Sequence, residues 1–333
     1  MKILAMASAV PAAKVIVAEQ TDRFSEDTIK KIVRNTGVKE FRYAPEELCT
    51  SDLCLQAAEK IIAATGIDRA EIQAVIFVSQ TPDYLSPATS PIIQAKLGLP
   101  DTTFTMDMNQ GCTGFTDGLI VANSLMKGMG LKNVLLLTGD TISKMTNQQD
   151  QGCALLFGDA GNATLLQADD SELAFSAGTD GLGEDFIKQN LGYRTGLKPG
   201  TTISWDSLGT KLNGAEVFNF TIKRVPPMVA NVLEKANWQI DDVDYFVFHQ
   251  ANLFIMNYLI RKMKLPKEKC PVGITKFGNT SSASIPLTIA TEIGEEFSHN
   301  KKAIFVGFGI GMAWSAVAVQ TENTIVCPLI EVK

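Results

Sequence analysis

The chain has 333 residues, 45% of them hydrophobic and 20% charged, with a formal net charge of −6. That length fits about two domains, and the balance is ordinary for a globular protein. Net negative charge without a basic cluster argues against nucleic acid, and no apolar run approaches the roughly 18 residues that cross a bilayer. Six scattered cysteines without a C-x-x-C pair give neither a disulfide framework nor a zinc site, which fits a reducing cytoplasm. The two histidines, His249 and His299, lack metal-ligand spacing.

The first residues, MKILAMASAVPAA, faintly imitate a signal peptide. The apolar run is short, carries one lysine and contains Pro11, so Lys2 to Ser8 reads as a strand. Ser25 to Asn35 reads as a helix capped by Ser25 and ended at Thr36-Gly37. Ser51 to Thr65 is a second helix with a Gly66 stop. Ala74 to Val78 is a continuous apolar run, as in a buried parallel strand. Ser90 to Leu97 is a short helix with Ser90 as cap and Pro91 at its first position. Thr103 to Met106 is a strand, and Asn133 to Leu137 another. Cys153 to Phe157 and Ala163 to Leu166 read as strands paired around Gly158-Asp159-Ala160-Gly161.

Gly178 to Gly200 reads as loop and hairpin, and Leu212 to Leu233 as a helix disturbed by Pro226-Pro227. Val243 to Phe248 is a strand, Ala251 to Lys264 a helix, and Ser282 to Ser298 contains a helix. Ala303 to Val306 and Ala313 to Val319 are the last strands. The tail from Thr321 to Lys333 has no functional reading. Two pairs of strands echo each other at one offset: 245 − 75 = 170 and 304 − 134 = 170, with Cys112 opposite Ser282. The chain is therefore expected to be a duplicated α/β unit, residues 1–170 carrying a nucleophile and 171–333 its partners.

Three segments bring chemistry. Cys112 lies between Gly111 and Thr113 on a strand-to-helix turn. A helix N-terminus favours the thiolate and is expected to lower its pKa. Alone, it would read more readily as a small core residue than as a nucleophile. His249 ends a buried strand beside a helix start, and Asn279 follows Gly278 in a polar loop. All three fall where open α/β sheets place their ligands. The run Gly307-Phe308-Gly309-Ile310-Gly311 leads into a strand, so it is not a dinucleotide fingerprint.

Together with the repeat, Gly111-Cys112-Thr113-Gly114-Phe115, Phe157-Gly158-Asp159-Ala160-Gly161, His249-Gln250-Ala251-Asn252-Leu253, Gly278 to Ser284 and Gly307 to Gly311 resemble the thiolase superfamily, within it the β-ketoacyl-ACP synthase III enzymes. The resemblance implies a thiolase-like five-layered αβαβα fold and a homodimer. It also implies a Cys112–His249–Asn279 triad and a decarboxylative condensation of an acyl thioester with malonyl-ACP. No cofactor and no metal are implied. His249 through Nε2–H and Asn279 through its amide would hold the malonyl-derived enolate, and the backbone N–H groups of Cys112 and of the Phe308–Gly311 loop, taken at Ile310, would form the oxyanion hole. A thiolase is not expected, since the glycine-rich loop holds no second cysteine. The alternatives are a non-decarboxylating acyltransferase using Cys112 and a carrier-binding, non-catalytic partner of an active paralogue.

The sequence departs from the family in places. Lys31 and Gln151 stand where a tryptophan and an arginine sandwich the adenine of acetyl-CoA, which favours acyl-ACP as starter. Phe254 stands where a basic residue meets the acyl carrier protein, leaving Arg261 and Lys262 to do so. Ser86 falls where the partner subunit closes the acyl pocket, and a small side chain there would admit a longer or branched chain.

Overall fold

The computed structural model describes residues 1–190 and 209–333. Two sheets stack with helices outside and between them. The first is seven-stranded: Ile325–Val326, Lys2–Pro11, Ala160–Gln167, Asn133–Asp140, Ala74–Val78 and Phe104–Met108 follow in order, with Ile330–Val332 also paired to Lys2–Pro11. The second has four strands in the order Tyr245–Phe248, Lys302–Gly309, Ala313–Gln320 and Phe175–Thr179.

The period of two along each strand sorts side chains into layers. Ile76 and Val78 join Val134, Leu136, Val247, Phe305 and Val317 in one core that also holds Phe115, Leu119 and Met126 of the helix Gly114–Met129. Their neighbours Val75, Phe77, Leu135 and Leu137 face the other way, onto the helix Thr50–Thr65. Phe246, Phe248, Ile304 and Val306 pack outward on the helices Gly214–Ala236 and Leu253–Lys262. Helix, sheet, helix, sheet, helix: these are the five layers expected.

The repeat is present in topology. In both sheets one parallel pair (Ala74–Val78 with Asn133–Asp140; Tyr245–Phe248 with Lys302–Gly309) is extended by antiparallel strands. The 170-residue offset does not hold residue by residue, however. Ile76 lies between the sheets, whereas Phe246 faces outward; Val134 and Ile304 differ in the same way. A slip of one residue reverses the face of a strand, and an offset of 171 pairs like with like, Ile76 with Val247 and Val134 with Phe305.

Several local expectations are corrected. Cys153 to Phe157 is not a strand but a buried turn, ending in an isolated β-bridge between Phe157 and Asn279. Its supposed partner, Ala160–Gln167, pairs instead with Lys2–Pro11 and Asn133–Asp140. The third helix starts at Thr89, its first amides capped by the Asp107 carboxylate at 2.6 and 2.8 Å rather than by Ser90. Pro226 and Pro227 leave the helix Gly214–Ala236 continuous. Pro226 cannot donate to Ile222, and the Lys262 ammonium bonds that carbonyl at 2.9 Å instead. Ser282 to Ser298 does contain a helix, Ser284–Thr288, set between 3₁₀ and π turns. Of the Gly178–Gly200 stretch, Ile187–Gln189 pairs with Thr210–Leu212 as a hairpin, and residues 191–200 lie outside the described residues. The tail returns to the first strand in parallel, and Glu331 bonds the buried Arg42 at 2.8 Å.

Candidate active site

Cys112 sits one residue before Thr113, the N-cap of the helix Gly114–Met129. The helix start is bound tightly into its surroundings. Thr113 donates to Asp117 at 2.6 Å, and the Thr116 and Ser315 hydroxyls bond at 2.7 Å. A Cβ on Gly114 would stand 2.8 Å from the Ser282 Cβ, so the helix start abuts the corresponding start in the second half. The glycine-rich strand end passes over the nucleophile. At Gly309, with φ +152°, a Cβ would lie 2.6 Å from Cys112 Sγ. Glycine is required there for conformation and for space.

The thiol does not behave as its helix position predicts. Burial pushes Cys112 up to about 11; the Ile310 N–H and its own N–H pull down and the Asp140 charge adds a smaller upward push. Cys112 is half-buried at a cavity, and desolvation of the thiolate outweighs the two backbone N–H groups. Both backbone donors expected for an oxyanion hole, Cys112 and Ile310, are thus among the groups that favour the thiolate.

His249 ends the strand Tyr245–Phe248, its N–H bonded to Val306 at 2.8 Å. It is 1% exposed. Burial pulls its pKa down to about 3, against a smaller upward pull from the Ser281 backbone, so the ring is neutral at physiological pH. Its Nδ1 lies 2.7 Å from Ser284 Oγ, and its ring meets Phe308 edge-on at 5.7 Å. The next helix begins after Asn252, whose Oδ1 accepts the Ile255 N–H at 2.7 Å.

Asn279 is held by the turn that sequence reading took for a strand. Its N–H donates to Leu156 at 2.8 Å and its carbonyl accepts from Gly158 at 3.1 Å. Its side-chain oxygen accepts the Ser281 N–H at 2.9 Å, and Nδ2 donates to Ala251 at 3.5 Å. With the oxygen occupied internally, the amide is left as a donor. The residues around it are strained: Gly278 has φ +66° and Ser281 +51°.

Cys112, His249, Asn279, Phe308 and Ile310 line one cavity of about 1170 Å³. Behind it lies a residue that sequence reading missed. Asp140 is fully buried and accepts from the Gln80 N–H at 2.6 Å, Ser79 Oγ at 3.1 Å and Ser282 Oγ at 3.2 Å, joining both halves. Burial raises its pKa to about 6 against these donors. Its signal was a lone aspartate ending an apolar strand, a position costly for a charge unless it is used.

The remaining predicted residues lie away from the triad. Ser86 is exposed and does not line its own chain's cavity, though Tyr84, Leu85 and Ala88 of the same loop do. Arg261 and Lys262 end the helix Leu253–Lys262, with Lys262 engaged on Ile222 as described. Among the described residues no cluster of metal-ligating side chains occurs, no helix is long and apolar enough to cross a membrane, and all six cysteines are free thiols.

Comparison with known proteins fits this arrangement. The family described as 3-oxoacyl-[acyl-carrier-protein (ACP)] synthase III matches residues 106–181, and its C-terminal part matches residues 233–321. A Clostridium perfringens protein named beta-ketoacyl-[acyl-carrier-protein] synthase III is 33% identical over 307 residues, 91% of this chain and 94% of its own. Its namesake in Staphylococcus saprophyticus is 34% identical over 92% of this chain and 95% of its own. The crystal structure of a 3-oxoacyl-(acyl-carrier protein) synthase from Burkholderia xenovorans superposes with a TM-score of 0.93 at 37% identity, covering 99% of this chain and 97% of that one.

Proposed function

The chain belongs to the β-ketoacyl-ACP synthase III family of decarboxylating condensing enzymes, and we propose that Cys112, His249 and Asn279 carry out the condensation. It is an acyltransferase of fatty-acid or polyketide priming; neither a non-decarboxylating acyltransferase nor a non-catalytic partner is favoured by these relatives. One observation carries the assignment of residues. Side chains from three distant segments converge on one cavity.

The chemistry runs in two halves. Cys112 attacks the starter thioester, its S–H proton passes to the departing thiol, and the acyl group stays on sulfur. Malonyl-ACP then loses CO₂, and the enolate oxygen is held by His249 Nε2–H and Asn279 Nδ2–H. The enolate carbon attacks the acyl carbonyl, whose oxyanion rests on the Cys112 and Ile310 N–H groups. That attack forms the carbon–carbon bond; collapse of the oxyanion then restores the carbonyl, breaks the carbon–sulfur bond and expels the Cys112 thiolate. That thiolate takes one proton from solvent, since burial favours the thiol.

Lys31 and Gln151 are both exposed, and neither side chain offers the aromatic or guanidinium plane that stacks on an adenine, which favours acyl-ACP over acyl-CoA as starter. For the acyl carrier protein, Phe254 is 56% exposed and stacks on Phe218 at 5.4 Å, with Arg261 exposed further along the same helix. A homodimer is supported by the strand Phe104–Met108, which is an edge among the described residues, and by the exposed Tyr84, Leu85 and Met129. Ser86, on that loop, would then close the partner's acyl pocket. Ser86→Phe should shift the preferred starter to shorter chains; an unchanged chain-length profile would sink this role. The division into 1–170 and 171–333 remains our reading of the repeat, with the tail strands crossing back into the first sheet.

Intact-protein mass spectrometry tests the core of the proposal. Acyl-ACPs and acyl-CoAs should leave an acyl adduct on wild type and none on Cys112→Ala, and malonyl-ACP should discharge it. An adduct that survives in Cys112→Ala places the nucleophile elsewhere.

A further inference from the structure

We infer that Ser284 is a positioning residue that keeps the His249 proton on Nε2, and so commits the imidazole to the decarboxylation half of the reaction. The inference rests on the function proposed above. A neutral imidazole has one N–H and one bare nitrogen. With the proton on Nε2 it can donate to an enolate oxygen. With the proton on Nδ1, Nε2 is bare; it could then accept the Cys112 proton but could not stabilise the enolate. Which half-reaction the ring serves is a question of tautomer.

Ser284 Oγ lies 2.7 Å from Nδ1, and both residues are almost wholly buried, at 2% and 1% exposure. A hydroxyl has one proton and two lone pairs. The Gln250 N–H points at one lone pair, at 3.4 Å. Gln250 is itself held, its side chain donating to Phe248 at 2.8 Å and accepting from the Gly273 and Ile274 amides at 3.0 and 3.2 Å. Among the described residues Nδ1 is the one side-chain atom left to take the Ser284 proton. The hydroxyl therefore donates to Nδ1, and the imidazole proton is left on Nε2. Burial keeps the second proton off the ring, so the imidazolium cannot supply both donors. The rival arrangement is Nδ1–H donating to the second lone pair of the Ser284 hydroxyl.

With only two histidines in the chain, the tautomer can be read directly. In ¹⁵N-histidine NMR of the His299→Gln protein, His249 should show a bare Nδ1 and a protonated Nε2; a protonated Nδ1 overturns the inference whatever the kinetics. Ser284→Ala should then mix the tautomers. CO₂ release from malonyl-ACP should fall about 10–100-fold, short of the roughly 10²–10³ for losing a donor outright. Acylation of Cys112 should stay within about twofold, and Ser284→Thr should restore CO₂ release. An equal loss in both half-reactions would mean that Ser284 is merely structural. Were wild type never to release CO₂, the reaction itself would fail, while the wild-type spectrum would still decide the Ser284 contact.

Discussion

The same topological position is built differently in the two halves. After the Cys112 turn the chain runs into one regular helix, Gly114–Met129, sixteen residues long and ended by Gly130 in the left-handed conformation. After the Asn279 turn it breaks into a 3₁₀ turn, a five-residue α-helix and a π turn. The regular helix presents a single backbone terminus, and two amides favour the thiolate of its nucleophile. The irregular one presents side chains: Asn279 fixed by its own backbone, Ser284 on His249, Ser282 on Asp140. One half carries the acyl group and the other supplies donors. A duplicated scaffold becomes an asymmetric site when one copy loses helical regularity, because strained turns aim polar groups that a helix would send outward.

That division of labour can be broken one half at a time. The largest effect is expected on the second half. His249→Ala and Asn279→Ala should each lower CO₂ release by about 10²–10³-fold, the usual loss for one oxyanion donor. Neither should prevent an acyl group from reaching Cys112, since both are donors to the enolate and neither supplies the two amides that favour the thiolate. A stopped-flow or mass-spectrometric comparison of adduct formation with CO₂ release reads both steps. Equal damage to the two steps would mean that the halves are not separable.

Much of this was legible in the sequence, for identifiable reasons. Continuous apolar runs such as Ala74 to Val78 can only be buried strands, and both sheets followed from them. Cys112, His249 and Asn279 each end or begin an element, where function concentrates in α/β folds. What escaped depends on contacts distant in sequence. The cap of the third helix comes from Asp107, the carbonyl freed by Pro226 is met by Lys262, and the Leu156–Gly158 turn exists to hold Asn279. The slip between repeats was invisible because apolar runs buried on both faces carry no alternation to fix register. Ser284 and Asp140 looked like ordinary polar residues, since nothing local announces a partner 35 or 142 residues away.

The thiol is where local reasoning gave the wrong sign, and it sharpens the comparison further. A helix N-terminus lowers a cysteine pKa when solvent still reaches the sulfur. Here burial wins, and the ordinary value is exceeded, at about 11. Because the thiolate is the reactive form, alkylation of Cys112 by iodoacetamide should rise about tenfold per pH unit from pH 6 to 9 without a plateau. A plateau below pH 8.5 would restore the helix as the dominant influence. Asp140 adds the smaller effect. Its charge pushes the thiol upward, and its own pKa stands near 6. Asp140→Asn should therefore speed alkylation modestly above pH 6, where the wild-type carboxylate is ionised. The two proteins should converge below it, where that carboxylate is already protonated. A ratio that stays constant across pH 6 would mean that Asp140 acts on Cys112 through the Ser79, Gln80 and Ser282 hydrogen bonds rather than through its charge.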